Sequence, residues 1–363
     1  MSTFRVPVVE ITISEHPDAD KLEIARATNM DYNMIVPKGV YHTGDTVIYI
    51  PEQSIVPDSL LEDLGLTGKL AGRKHNRVKA IRLRGIISQG IVYPNHTEAE
   101  VGTDMAETLG ITKYEVPIPI GMKGEVCNLG YEYTIKFDVD NFKNHPNVFT
   151  SDDFVEITEK IHGTFMMVGS FPENGHTHPE IIDERSFCGS KGLVNRGLVF
   201  KDNEENKNNL YLRATKKLNL HTISQSLSDR YGSEVCLLGE VFGKGVQDLA
   251  YGFKTNDVQF RLFDICIISD SGIEWVDRKT IVDICSEFNL SMATVLYVGP
   301  FCKDKIIELT EGKETISGAS SHIREGIVIR DLNPAASHQD IGRKILKNVS
   351  FAYLNRKGGT EYN

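Results

Sequence analysis

The six cysteines of this sequence include no C-x-x-C pair, and no apolar run approaches the roughly 20 residues that span a bilayer. The first absence removes the usual zinc and disulfide frameworks, so Cys127, Cys188, Cys236, Cys266, Cys285 and Cys302 read as free thiols in apolar surroundings. The second excludes a membrane helix. Met1–Arg5 also lacks the apolar core of a secretory signal, so a cytoplasmic or equivalent reducing compartment is expected. Positive charge is not in excess either: 40 Lys and Arg face 50 Asp and Glu, for a net charge of −10. That balance excludes unselective binding of nucleic acid over the whole surface, and any polyanion must be met by a local patch. Internal repeats and low-complexity segments are also lacking, which excludes a solenoid.

What is present divides by texture. The 363 residues exceed one ordinary core and call for two domains. Residues 1–115 read as short strands separated by Gly, Pro and Asp turns: Val6–Ile13, Lys21–Ala27, Met34–Val36, Thr46–Ile50, Arg77–Leu83 and Gly90–Tyr93, with one helical piece at Ser59–Leu64. This pattern predicts a small β-barrel. Within it, Lys69, Arg73, Lys74, Arg77, Lys79, Arg82 and Arg84 follow one another with no acid between. Arg77 and Lys79 alternate in one phase and Arg82 and Arg84 in the other. An extra residue at Ala80–Ile81 would be a β-bulge that turns all four to one face, as a strip for a phosphate backbone. A solvated sheet face is the competing reading. Residues 116–146 read as a linker with some strand, and 147–363 as mixed strand and helix, with helices at Leu220–Tyr231 and Asp277–Phe288.

The alternation Phe154-Val155-Glu156-Ile157 predicts a strand with Val155 and Ile157 on a core and Glu156, Thr158 and Lys160 on the other face. Lys160 then stands at a strand end just ahead of Gly163, which allows a sharp turn and a close approach to the backbone. A nucleophilic amine suits that place, and so does a plain exposed lysine. Further on, in order, come Gly189-Ser190-Lys191-Gly192, Leu238-Gly239-Glu240-Val241, Leu262-Phe263-Asp264-Ile265, Arg324-Glu325-Gly326-Ile327 and Arg343-Lys344-Ile345-Leu346-Lys347. Attack on a phosphate needs a neutral amine, whereas free lysine has a pKa of about 10.4. Nearby positive charge from Lys347 and a divalent cation would disfavour the ammonium form. Glu240 and Glu325 each flank a glycine at the edge of an apolar strand, which suits carboxylates holding a ribose hydroxyl or a hydrated cation. A turn acid, and a partner for Arg324 or Arg330, are the plain alternatives.

This ordered series resembles the motifs of the covalent nucleotidyltransferases, the superfamily of polynucleotide ligases and capping enzymes. Residues 17–57 resemble the OB-type domains attached to some aminoacyl-tRNA synthetases. A barrel upstream, a tail after Lys347 too short for another, and the stretches Gly243–Leu249 and Tyr353–Lys357 together resemble the ATP-dependent RNA ligases. The resemblance implies an α+β fold, an N-terminal OB-type β-barrel (1–115) and a linker (116–146) ahead of an adenylyltransferase domain of antiparallel sheets with flanking helices (147–363). It implies that Lys160 forms a lysyl-AMP from ATP, with Mg²⁺ or Mn²⁺, and passes the AMP to RNA as an RNA-adenylate. Lys347 and Glu325 would share in catalysis. Glu159, Gly163, Lys191, Glu240, Phe263, Glu325 and Lys347 would surround the nucleotide, Phe263 stacking on adenine and Glu240 and Glu325 reaching the metal through water. Arg77, Lys79, Arg82 and Arg84 would meet the partner, RNA with 3′-hydroxyl and 5′-phosphate ends in a nicked duplex, bound by a monomer away from any membrane.

Two positions depart from the family pattern. Ile345 stands where a second lysine is usual, which passes that role to Arg343 or Lys344, and His162 stands where many members have aspartate, though some RNA ligases have histidine. Sealing of DNA nicks, and RNA binding by the barrel without catalysis, are the alternative functions. Lys160, Glu240, Glu325 and Lys347 together speak against the second.

Overall fold

The computed structural model describes residues 4–115, 118–255, 257–356 and 359. It forms two compact units, residues 1–115 with 140–149, and residues 116–139 with 150–363. The expected linker, 116–146, is therefore divided between them. Among the described residues no helix is long and apolar enough to cross a membrane. The cysteines are free, and only Cys302 is exposed.

In the first unit five antiparallel strands run in the order Asn33–Pro37, Leu22–Ala27, Val8–Glu15, Thr46–Ile50, Ile91–Pro94. The sheet curls toward closure, because Ile35 N–H donates to Ser88 Oγ (3.0 Å) and Gln89 N–H to Asn33 O (2.8 Å), next to the last strand. Period-two alternation sorts the side chains. Val9, Ile11, Val47 and Tyr49 enter one cluster, while Val8, Ile48 and Ile50 enter another with Leu60 and Leu61 of the short helix Asp58–Asp63. This is an OB-type barrel.

The basic stretch departs from expectation. Only Ile81–Leu83 is a strand, and it folds back on Ile86–Ser88 through Arg84 (φ 46°) and Gly85 (φ 87°), the two left-handed residues of a tight hairpin. The register runs Ile81 to Ser88, Arg82 to Ile87 and Leu83 to Ile86 without a bulge, so the four bases do not share one strand face. Arg77 lies outside the hairpin, with Nε on Gln53 Oε1 (2.9 Å) and its guanidinium 3.7 Å from the centre of the Tyr114 ring. Lys79, Arg82 and Arg84 are exposed.

The second unit is built on two antiparallel sheets. One has the order Ser186–Ser190, Thr164–Ser170, Glu234–Gly243, Val258–Ser269, Gly272–Trp275. Its central strands are apolar on both faces, since both are covered. Met166, Val168 and Leu237 pack with Leu220, Ile223 and Leu227 of the helix Leu220–Tyr231, while Met167, Cys236 and Leu238 pack with Cys127, Leu129 and Val199 on the other side. In the other sheet Ile345–Val349, Gly326–Asp331, Phe154–Lys160 and Val295–Pro300 are successive neighbours.

Phe154–Lys160 alternates as expected, but its polar face is covered too. Glu156 is buried, paired to Arg278 at 2.8 Å on the helix Arg278–Glu287, for which Asp277 is the N-cap. Between the sheets, the fully buried Asp264 accepts from Arg330 (3.0 Å) and Arg343 (2.8 Å). Removing the shared carboxylate leaves two guanidiniums facing each other in a partly desolvated place. Asp264→Ala is expected to lower the stability of this unit by about 3 kcal/mol, read as a fall in the urea midpoint.

Candidate active site

Lys160 ends its strand opposite Gly326, and Glu325, the residue before that partner, comes alongside. The Lys160 Nζ to Glu325 Oε1 distance is 2.6 Å. A carboxylate thus lies directly against the resting amine. Thr158 pairs with Val328, and Val328 with Lys347. Directly paired residues share a sheet face, so Lys347 stands on the same face as Lys160, two rows back. The two candidate second bases are engaged elsewhere: Arg343 on Asp264 and over the Trp275 ring (3.9 Å), Lys344 on Asp153 (2.6 Å) and Asp331 (3.2 Å). Lys347, by contrast, shares the sheet face of Lys160.

Only Ile161, His162 and Gly163 separate the lysine strand from Thr164, which opens a strand of the other sheet. A Cβ at Gly163 would run into the Val241 carbonyl oxygen and come within 2.8 Å of Glu240 Cγ. The glycine therefore serves a close approach of two backbones, not a left-handed turn. This crossing sets Glu240, opposite Phe165, beside Lys160. Burial pushes the Glu240 carboxyl up to about 8, with Lys160 pulling it down and Glu325 pushing it further up. Glu325 Oε2 is buried without a hydrogen-bond partner.

Glu159 does not belong to this group. Alternation turns it to the opposite face, where Oε2 accepts from Thr315 N–H (2.9 Å) and Oγ1–H (2.6 Å). Lys191 begins a short helix, Lys191–Val194, and is paired to Asp138 at 2.6 Å, although its charge still reaches Glu240.

Phe263 owes its position to a register shift. Leu238 pairs with Asp264 but Gly239 with Leu262, so Phe263 is the extra residue of a bulge, and Arg330 Nη2 donates to its carbonyl at 3.0 Å. A Cβ on Gly239 would strike the Phe260 ring, which is why glycine faces the bulge. The half-buried Phe263 ring stacks on Phe137 with centroids 5.4 Å apart, and Phe137 stacks on Phe165 at 5.6 Å. Neither Phe137 nor Phe165 was legible as part of the site, because an isolated phenylalanine has no pattern.

The family model for RNA ligases matches residues 153–349, and an OB-fold domain model matches residues 6–95. The chain belongs to the RNA ligase family. Curated proteins compared with the sequence yield no match. Among solved structures, this RNA ligase is similar in fold to the RNA ligase of Naegleria gruberi. A lysine-to-alanine variant of that protein with ATP and Mn matches with a TM-score of 0.77 and 20% identity, over 97% of this chain and 98% of that one. The form with AMP and Mn matches with a TM-score of 0.76 and 20% identity, over 96% and 97%. The form with pyrophosphate matches with a TM-score of 0.76 and 20% identity, over 97% and 98%.

In this RNA ligase the departure at His162 has a structural account. The ring is 2% exposed and both nitrogens are engaged, Nε2 with Asp248 Oδ1 (2.8 Å) and Nδ1 with Tyr353 Oη (2.8 Å). Asp248 can only accept and Tyr353 can donate, so the arrangement suits a neutral ring with its proton on Nε2. Arg356 completes the group, its Nε on Asp248 Oδ2 (3.0 Å) and its guanidinium 3.5 Å from the Tyr353 ring centre. The N–H of His162 donates to Tyr251 Oη at 2.6 Å, and Gln247 donates to the Gly163 carbonyl. Asp248, Tyr251 and Tyr353, the direct partners of His162, lie 86 to 191 residues from it, and no spacing rule pairs them.

Burial holds the His162 pKa below the usual histidine value, although Glu325 and Asp248 oppose it. The unfolded chain therefore takes up this proton at a higher pH than the folded one, and stability falls as pH drops below about 6.5. The urea midpoint is expected to fall less on acidification in His162→Gln than in the unchanged protein.

Proposed function

We propose that this RNA ligase is ATP-dependent and joins a 3′-hydroxyl to a 5′-phosphate end through a covalent AMP on Lys160. The observation that carries the reading is the Lys160–Glu325 pair at 2.6 Å, with Glu240 beside it and Lys347 on the same sheet face. A binding module has no use for a half-buried amine set among two carboxylates and a second base. The ATP, AMP and pyrophosphate forms of the Naegleria gruberi protein are consistent with such a cycle.

The amine first loses its proton along the hydrogen bond to Glu325. Lys160 Nζ then bonds to the α-phosphorus of ATP as the bond to the bridging oxygen breaks and pyrophosphate leaves. An oxygen of an RNA 5′-phosphate next attacks the same phosphorus, the P–N bond breaks as Lys160 Nζ takes back the proton from Glu325, and an RNA-adenylate results. The 3′-hydroxyl, losing its proton, attacks the 5′-phosphate phosphorus, and AMP leaves. Catalysis of this kind rests on positioning and on neutralising charge, for which Lys347 is placed.

A divalent cation fits the same residues. Glu325 Oε2 has no hydrogen-bond partner, and burial together with Glu325 keeps Glu240 from ionising readily in the absence of a cation. Glu240 and Glu325 would hold Mg²⁺ or Mn²⁺, directly or through water, and the ion would supply positive charge to the phosphates. Phe263 would meet adenine with the part of its ring that Phe137 leaves open, and Lys191 the ribose or the RNA end. Gly163 keeps the loop thin, whereas Glu159 acts from the far face through its hold on Thr315.

Residues 147–363 would carry the chemistry, residues 1–115 would bind RNA as a monomer on a nicked duplex, and 116–146 would connect them. Lys79, Arg82 and Arg84, all exposed, are the phosphate contacts of the barrel, and Arg77 supports them from its place on Gln53 and Tyr114.

Incubation with ATP labelled on the α-phosphate is expected to give a protein adduct that is stable to alkali and labile to acid, as a P–N bond is, and that Lys160→Ala loses entirely. An undiminished adduct in that variant sinks the assignment. Replacing Lys79, Arg82 and Arg84 together by alanine is expected to leave this adduct intact. It should weaken RNA binding regardless of sequence and lower the slope of log affinity against log salt by about 3.

A further inference from the structure

We propose that Cys127, His178 and Glu180 form a second metal site, for Zn²⁺, built from residues that take no part in ligation. The Cys127 thiol, one ring nitrogen of His178 and one Glu180 carboxylate oxygen all lie within 4.8 Å of one another. Three different donor types meet there from two separate segments. Cys127 is the middle residue of the strand Val126–Asn128 and pairs with Val199. His178 and Glu180 lie in the connection between the strands Thr164–Ser170 and Ser186–Ser190.

Backbone bonds hold the segments together before any ion arrives. Asp202 N–H donates to Glu180 O (2.8 Å), Lys201 N–H to Glu125 O (3.1 Å) and His178 N–H to Glu184 O (3.0 Å). The thiol is 5% exposed, His178 is half-buried and Glu180 reaches solvent, so the group has a closed apolar end and an open end through which an ion can enter.

The donor set chooses the ion. Magnesium and calcium take oxygen ligands, and a thiolate with an imidazole adds nothing for them. A thiolate, an imidazole and a carboxylate suit borderline-soft Zn²⁺, with water in the fourth position. Two existing interactions must give way: Lys201 Nζ on Glu180 Oε1 at 2.6 Å, and Glu180 N–H on His178 Nδ1 at 3.3 Å. Lys201 is thus a built-in competitor, its ammonium standing against the carboxylate where the cation would bind. A bound ion would tie the 171–185 connection to the Val126–Asn128 strand, and binding to the folded state alone would stabilise it.

The test titrates the purified full-length protein with Co²⁺ alone, as a spectroscopic stand-in for zinc, and then displaces it with Zn²⁺. One Co²⁺ per chain with a thiolate-to-metal charge-transfer band is expected, with the band bleached by Zn²⁺ and not by Mg²⁺. Cys127→Ser should abolish the band. His178→Ala should weaken binding about 100-fold or more, since even losing a supporting partner costs 10–100-fold. Lys201→Met should tighten it, which a merely adventitious thiol site would not show. Cys302→Ser, which removes the exposed thiol, should change nothing. Absence of the band in the unchanged protein, its survival in Cys127→Ser, or its loss in Cys302→Ser would each overturn the site. His178→Ala carries the test should Cys127→Ser fail to fold.

Discussion

The structure of the catalytic unit depends on how closely Gly163 lies against the strand that carries Glu240. Three residues join the end of one sheet to the start of the other, and there is no room for a Cβ between Gly163 and the Val241 carbonyl. Because the crossing is short, Lys160 stays beside Glu240, which belongs to the second sheet. Because Lys160 pairs with Gly326, it also stays beside Glu325 in the first. The Gly163 contact and this strand pairing together bring an amine and two acids from three distant parts of the chain into a single charged group. The hydroxyl of Tyr251 and the amide of Gln247 hold the same crossing from outside.

Charge held under cover is the second theme. Asp264 is shared by Arg330 and Arg343, and Arg330 also takes the carbonyl of the bulged Phe263, so an ion-pair cluster sets the angle of an aromatic ring. His162 sits neutral between Asp248 and Tyr353, and Arg356 reaches the same aspartate. In both clusters each buried charge has a partner, the condition under which such groups can be kept inside a protein. Glu325 Oε2, buried with no hydrogen-bond partner, and the raised Glu240 stand at Lys160, where a ligand would meet them.

Several readings of the sequence failed for a common reason. The basic stretch alternates like a strand, yet Arg84-Gly85 is a hairpin turn, and a turn outranks alternation when two left-handed residues adjoin. Arg77 looked like its neighbours but lies across Tyr114, 37 residues on. Arg343 and Lys344 looked like spare phosphate ligands and are bound to acids of the sheet. Glu159 looked like part of the lysine motif and faces Thr315. In each case the side chain's charge was legible and its partner was not, because the partner is distant in sequence.

By itself the sequence determined the order of the motifs, a barrel ahead of the RNA ligase unit and the strand that ends at Lys160, since these rest on local alternation, glycine placement and residue type, while Glu240, Glu325 and Lys347 stood out through the resemblance of the ordered series to a family. Tertiary structure alone decided which of those residues meet. Strand register set Glu325 against Lys160, a bulge turned out Phe263, and long-range hydrogen bonds enclosed His162. The physical reason is that period-two alternation tells which face a side chain takes, whereas the partner on that face depends on which strands pair, and pairing is settled by the whole core.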